Sequence, residues 1–388
     1  MKTAVSLLML LLIPLLALAA PGATAVPPPD LTAYPWAFWR EPPPEAEGSG
    51  EVTVIFVGDV LLGRGVDPSA DPLRDVTPWL SAADLTIGNL EGYIAPGEPP
   101  IVNRQPSIVN PQSPIHLPMP VTAVAALRRA GFDLLSVANN HSLDGGTEGL
   151  QETVTRLRHA GLHPVGLAGS DPVLVTAHGV RLAFFAFNTI PPAPTEGMTP
   201  APQFWDAATA VPAIQAARAQ ADAVIVLMHW GFEYEARPDP AQERIAQTLL
   251  DAGADLVVGQ HPHVAQPVAV IGDGVVAYSL GNFLFDQDHD GLALRAVFAA
   301  DGLRGVQLLP VRAAVRPYLL PLAAAQPLLQ RVLPPPPRIG FACTDETCVP
   351  VDVAQTAQSG QFYSGQIDLT GDGKPETVRR EGERIIIY

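Results

Sequence analysis

The sequence predicts an α/β fold, and three features carry that expectation. Short apolar runs at 52–57, 84–88, 133–138, 181–187, 222–228, 254–259 and 275–280 read as strands buried in a sheet. Helical segments at 120–130, 146–160, 207–220 and 240–252 lie between them, an alternation that covers much of a sheet on both faces. The chain has 388 residues and is 47% hydrophobic, which is ample for a buried core.

Taken in order, the chain opens with Lys2, an apolar run from Val5 to Ala19, and Ala23-Thr24-Ala25. One cation, an apolar stretch and small residues in A-x-A spacing predict a secretory signal peptide over 1–25, hence an exported protein, periplasmic or at the cell surface. The rival is an uncleaved anchor, for which the run is short, since a bilayer span needs about 20 residues. Residues 26–50 carry Pro27-Pro28-Pro29 and Pro42-Pro43-Pro44. Proline donates no backbone hydrogen bond, so this stretch is expected to be an extended linker, with the folded domain over 51–320. Asp301-Gly302, between two apolar stretches, signals a hairpin that closes the domain.

Residues 321–350 read as a proline-rich connector holding the only cysteines, Cys343 and Cys348. In an exported chain their spacing suggests a local disulfide, against half a zinc site or two free thiols. Residues 351–388 are polar, end in Ile385-Ile386-Ile387-Tyr388, and are expected to form a small β-rich segment.

The formal net charge is −16, and Lys2 and Lys374 are the only lysines. Such acidity disfavours nucleic acid and anionic lipid as partners. It also repels a polyanion, unless metal ions or a local arginine patch intervene.

The residues that carry chemistry fall at the C-terminal ends of the predicted strands, the edge where open α/β sheets bind ligands. These are Asp59; Asn89 and Glu91; Asn139, Asn140 and His141, with Asp144 close behind; His229; His261 and His263; and Asn282. Imidazole, carboxylate and amide oxygen are ligands of Zn, Mn or Fe, so a site for one or two divalent transition metals explains the inventory better than a Ser-His-Asp triad. Neither a G-x-S-x-G elbow nor a P-loop is present. If Gln260 to Val264 is extended, His261 and His263 share one face and can share a metal. His116, His159, His163, His178 and His289 adjoin no cluster of ligand types and read as ordinary core or surface residues.

Six strings, GDVLLGR (58–64), GNLEG (88–92), ANNHSLDGG (138–146), MHWGFEY (228–234), GQHPHVAQP (259–267) and YSLGNFLFDQ (278–287), resemble the ordered signature of the CapA family of poly-γ-glutamate capsule proteins. That family is similar to calcineurin-like metallophosphoesterases. The resemblance implies a four-layer αββα sandwich of metallophosphatase type with a metal centre at the strand ends. It implies that Asp59 is the first-strand ligand, that Asn140 and His141 match the Asn-His motif, and that His229, His261 and His263 are the later histidine ligands.

Two departures stand out. Asp59-Val60-Leu61 lacks the usual first-motif histidine, and Asn89-Leu90-Glu91 replaces the usual bridging aspartate. Either Glu91 supplies the missing carboxylate or Asn89 and Glu91 only orient other ligands. The family's common His-His-Pro-His-Val also reads Gln260-His261-Pro262-His263-Val264.

In a two-metal hydrolase, with ions about 3.5–4 Å apart, His141 is the candidate general acid, oriented by Asp144. Arg64 either grips a phosphate or carboxylate or is a surface charge. Trp230, Phe232 and Tyr234 are expected to wall the cleft, and Glu233 is an orienting or catalytic carboxylate. The implied partners are an anionic polymer or phosphate ester as substrate and membrane-bound capsule synthase subunits. A non-catalytic subunit that binds or tethers the polymer is the alternative.

In the tail, Asp368, Thr370, Asp372 and Glu376, with the Lys374 carbonyl, match the spacing of a calcium loop. Arg379 stands where a twelfth-position glutamate would be, and a plain Asp/Gly turn is the rival.

Overall fold

A computed structural model describes residues 29–40, 50–96, 115–194 and 196–333, and the backbone of 339–344, 347–352, 378–381 and 384–387. The expected signal peptide and the candidate calcium ligands lie outside the described residues.

In chain order the strands are β1 (Trp36–Trp39), β2 (Val52–Val60), β3 (Leu85–Leu90), β4 (Tyr93–Ile94), β5 (Pro118–Met119), β6 (Leu134–Ser136), β7 (His163–Val165), β8 (Val173–Ala177), β9 (Val180–Asn188), β10 (Ala223–His229), β11 (Leu256–Gln260), β12 (Val268–Ile271), β13 (Gly274–Ala277), β14 (Asn282–Leu284), β15 (His289–Ala299), β16 (Gly302–Ala313) and β17 (Tyr318–Leu319). The helices are α1 (Thr77–Leu80), α2 (Thr122–Arg129), α3 (Gly146–His159), α4 (Ala207–Arg218), α5 (Pro240–Asp251) and α6 (Leu322–Val332). Each predicted run lies on one of these strands, and each predicted helix on one of α2 to α5, so the α/β reading holds.

Two sheets carry the fold. One orders its strands β1-β16-β15-β2-β3-β6-β7, with β14 added beside β2 and β17 beside β16; the other runs β12-β13-β11-β10-β9-β8. Strands β2, β3, β6 and β7 are parallel neighbours, as are β9, β10, β11 and β13. The pleat sends alternate residues to opposite faces. Phe56 and Leu294 of the first sheet meet Phe184 and Ile225 of the second in one core. On the other face of the first sheet, Ile55 packs with Trp79, Leu127 and Leu157 of α1, α2 and α3. On the other face of the second, Val224 and Val257 pack with Ile214 and Leu249 of α4 and α5. Apolar partners on both faces explain why β2 and β10 read as unbroken apolar runs.

The hairpin forms as its turn signal predicts, with Ala299 paired to Gly302. The structure differs from the expected boundaries at two proline-rich places. Within the expected linker, β1 pairs antiparallel with β16, and Gln307 Nε2 donates to the carbonyls of Leu31 and Tyr34 at 2.6 and 3.0 Å. Within the expected connector, α6 places Ala325, Leu328, Leu329 and Val332 in the core between the sheets. That spacing is helical, and Pro321 and Pro327 mask it in the sequence. Beyond α6, strands 339–344 and 347–352 pair with Cys343 opposite Cys348 in register, and strands 378–381 and 384–387 pair in the tail. Among the described residues, no helix is long and apolar enough to cross a membrane.

The chain passes from one sheet to the other between β13 and β14, and there it presses on β2. Asp59 N donates to Gly281 O at 3.0 Å, and a Cβ on Gly58 would stand 1.8 Å from that oxygen. Only glycine fits at 58. Gly58→Ala is expected to cost about 3 kcal/mol, the upper end of the usual overpacking penalty, read as a lowered urea midpoint at unchanged slope.

Candidate metal centre

The strand ends converge as a hydrogen-bonded web of buried side chains. Asp59, at the end of β2, lies opposite Asn89 of β3, whose Nδ2 donates to Asp59 Oδ1 at 2.8 Å. Asn139 Nδ2 donates to Asn89 Oδ1 at 3.1 Å and to Leu90 O at 2.9 Å. Both ends of the Asn89 amide are thus engaged by protein, the arrangement of a residue that orients Asp59. Asn139 Oδ1 accepts from His141 N and Ser142 Oγ, which fixes the turn after β6.

From the second sheet, His229 at the end of β10 sets Nε2 2.8 Å from Asn140 Oδ1 and Nδ1 3.3 Å from Asn89 Nδ2. His261 and His263 follow β11. The segment is not extended as the pattern suggested: His261 has φ 94° and His263 φ 60°, so two left-handed residues flank Pro262. Such conformations are costly away from glycine and persist only where surroundings impose them. Here the turn brings His261 N to 3.3 Å from Asp59 Oδ2 and the two imidazoles to 5.8 Å between centroids.

Glu91, just past β3, is the centre of the arrangement. It is fully buried, and among the described residues neither carboxylate oxygen has a hydrogen-bond partner. One donor atom each from Glu91, His261 and His263 lie within 4.8 Å of one another. His263 Nδ1 faces Asn282 Oδ1 at 2.8 Å and so carries the proton, which turns the Nε2 lone pair toward Glu91 Oε1 at 3.7 Å. His261 Nδ1 is likewise buried without a partner among the described residues. Lone pairs facing a carboxylate repel unless a proton or a cation stands among them, and the donor set of one carboxylate and two imidazoles fits a divalent metal. Asp59 Oδ2, 3.5 Å from His263 Nδ1, adds a second carboxylate beside the group.

The electrostatics point the same way. Burial pushes the Glu91 carboxyl well above the usual carboxylate range, and the charges of Asp59 and Glu233 push with it. Asp59 is also raised by burial, against the pull of His263 and the Asn89 hydrogen bond. Burial, then His261 and His263, hold His229 well below the ordinary histidine value. His261 is pushed down to about 3, by burial and then by His263 and His141. The neutral imidazole that burial enforces is the form that binds metal.

Around this centre, His141 Nδ1 donates to Asp144 Oδ2 at 2.9 Å, and the same oxygen accepts from Leu117 N at 2.8 Å. Arg64 pairs with Asp286 at 3.0 Å. Trp230 is buried and donates from Nε1 to Tyr278 O, so it packs rather than lines a cleft. Phe232 and Tyr234 are 66% and 50% exposed, with the Tyr234 ring 5.9 Å from His263. Sequence reasoning left unassigned the holding roles of Asn139 and Asn282 and the Asp286 partner of Arg64. The signal for the two asparagines was their place inside the strand-end strings. His116, read as ordinary, sets Nδ1 3.0 Å from Asp144 O.

Fold and site together are those of an α/β protein with a candidate divalent-metal centre. Residues 53–287, more than half of the chain, match the family described as bacterial capsule synthesis protein PGA_cap, and the chain belongs to that family. It is 34% identical over 254 residues to the capsule biosynthesis protein CapA of Bacillus anthracis, across 61% of this chain and 60% of that protein. It is 33% identical over 274 residues to the PGA biosynthesis protein CapA of Bacillus subtilis (strain 168), across 66% of this chain and 69% of that protein. The match therefore spans less than two thirds of the Bacillus anthracis relative. Among solved structures, a 5'-nucleotidase from Candida albicans SC5314 aligns with a TM-score of 0.38 at 11% identity, over 69% of this chain and 52% of that one.

Manganese or zinc at about 100 times its dissociation constant is expected to stabilise the protein by about 2.7 kcal/mol, read as a rise in melting temperature. His261→Ala should lose that rise. Glu91→Gln should lose it too, while the metal-free variant melts no lower than the wild type, because an uncompensated buried acid has been replaced by a neutral amide of its shape. A metal-induced rise surviving in both variants contradicts the assignment.

Proposed function

We propose that this is an exported CapA-like protein of capsule or poly-γ-glutamate biosynthesis whose strand-end centre is a metal-dependent hydrolase of phosphoesterase type. The observation that carries the reading is the Glu91 carboxylate, buried without a donor among the described residues and beside the lone pairs of His261 and His263. Family membership and the relatives' names support the capsule setting, with an anionic polymer or phosphate ester as substrate and membrane-bound synthase subunits as neighbours. The signal-like N-terminus supports export. The three cores, read as helices, sheet, sheet, helices, support a four-layer αββα sandwich.

Glu91, His261 and His263 would hold the ion, with Asp59 beside them. A divalent ion there supplies positive charge that polarises a substrate oxygen and makes water a better nucleophile. The chain's own residues do the rest. Asp144 fixes the His141 ring through Nδ1, leaving Nε2 as the end that passes a proton to the leaving oxygen. Arg64, held by Asp286, offers its remaining N–H groups to an anionic substrate. The Asn89–Asn139 pair keeps Asp59 in place.

A non-catalytic reading, in which the same cleft holds polymer, draws on one observation. Leu61 stands where the superfamily has a first-motif histidine, and it is fully buried in the core beneath α1 to α3, so no imidazole reaches the centre from β2. A panel of chromogenic phosphate esters with added manganese separates the two. Hydrolysis predicts metal-dependent turnover, with His141→Ala lowering kcat by about 10²–10⁴-fold. No turnover by the metal-loaded protein contradicts it and leaves the polymer-holding reading.

A further inference from the structure

We propose that the groove between α2 and the C-terminal turn of α3 is a second ligand site, for a polycarboxylate chain of the poly-γ-glutamate kind; this rests on the capsule-polymer reading above. The groove measures about 590 Å³ and is lined by Arg128, Arg129, Arg156 and His159 together with small apolar residues, and no carboxylate among the described residues lines it. Three arginines thus gather at one groove in a chain of net charge −16 with 23 lysines and arginines in all.

The guanidinium groups are largely free to take a ligand. Arg128 and Arg129 are exposed. Arg128 has Asp133 Oδ1 only at 4.0 Å, and that carboxylate already accepts from Thr86 N through its other oxygen. Arg129 has no carboxylate partner among the described residues. Arg156 is the exception, bridged to Glu152 at 2.6 Å within its own helix. Cations in a last helical turn also answer the helix dipole. That accounts for basic residues at each helix end, but not for two helices turning theirs onto one groove.

The site is separate from the metal centre. Helix α3 begins two residues past Asp144 and runs 14 residues to His159, so at about 1.5 Å per residue its two ends are about 20 Å apart. Guanidinium pairs with carboxylate in bidentate geometry, but each exposed pair is weak and screened by salt. A single glutamate is therefore a poor ligand, and a chain of linked carboxylates is a good one, because each engaged group raises the effective concentration of the next. The groove gives an acidic protein a place to hold a polyanion.

The test is fluorescence anisotropy of labelled poly-γ-glutamate titrated with the full chain, comparing wild type, Arg129→Glu and the charge-matched control Arg244→Glu on the exposed face of α5. Melting temperature confirms that each variant folds. The expected result is salt-sensitive binding of polymer, no competition by millimolar monomeric glutamate, and a loss of at least tenfold in Arg129→Glu against less than twofold in the control. Equal affinity of the two variants overturns the groove and leaves the capsule-polymer reading standing. No binding by wild type overturns both. Tighter binding of inorganic polyphosphate than of poly-γ-glutamate overturns the carboxylate occupant.

Discussion

Glu91 sits out of water with neither oxygen hydrogen-bonded among the described residues, and an ion left so buried costs several kcal/mol even after the surroundings relax. A protein relieves that cost by keeping the group protonated, by giving it donors, or by giving it a cation. Donors are missing although they are close at hand: Asn89 spends its N–H on Asp59, and Asn139 spends its own on Asn89 and the Leu90 carbonyl. His261 is held neutral by burial, and His263 spends its Nδ1 proton on Asn282. The polar web around Glu91 thus supplies lone pairs where a structural carboxylate would need protons.

That web depends on both sheets meeting at one rim. Asp59, Asn89 and Glu91 arrive on parallel strands of the first sheet; His229, His261 and His263 arrive on parallel strands of the second. Their side chains meet because the crossing segment at Gly281 presses against Gly58 and because two residues flanking Pro262 take left-handed conformations. Strain of this kind is held in place by a core packed on both sides, so the stability of the sandwich and the geometry of the centre are one problem.

Much of this was legible in the sequence, for physical reasons. Strands buried on both faces must be apolar throughout, and amphipathic helices between them must show a period near 3.6, so β2, β10, α3 and α5 declare themselves. Polar residues at successive strand ends have few reasons to be there other than ligand binding, which is how Asp59, Glu91, His229, His261 and His263 were found. Proline hid the rest. It disguised β1, which needs the edge of β16 to exist, and α6, whose apolar stripe is interrupted by Pro327. The turn at Pro262 and the pairing of Arg64 with Asp286 are long-range outcomes that no local pattern encodes. The arginine groove is of the same kind, since it joins the ends of two helices that the chain reaches separately.

A crystal structure of protein grown with manganese, with anomalous scattering recorded at the metal edge, tests the centre most directly. The account predicts an anomalous peak within coordination distance of a Glu91 oxygen and of His261 and His263 nitrogens, with the Asp59–Asn89 contact preserved. A map without a peak there, in which the Glu91 carboxylate has turned to accept protein hydrogen bonds, would contradict it.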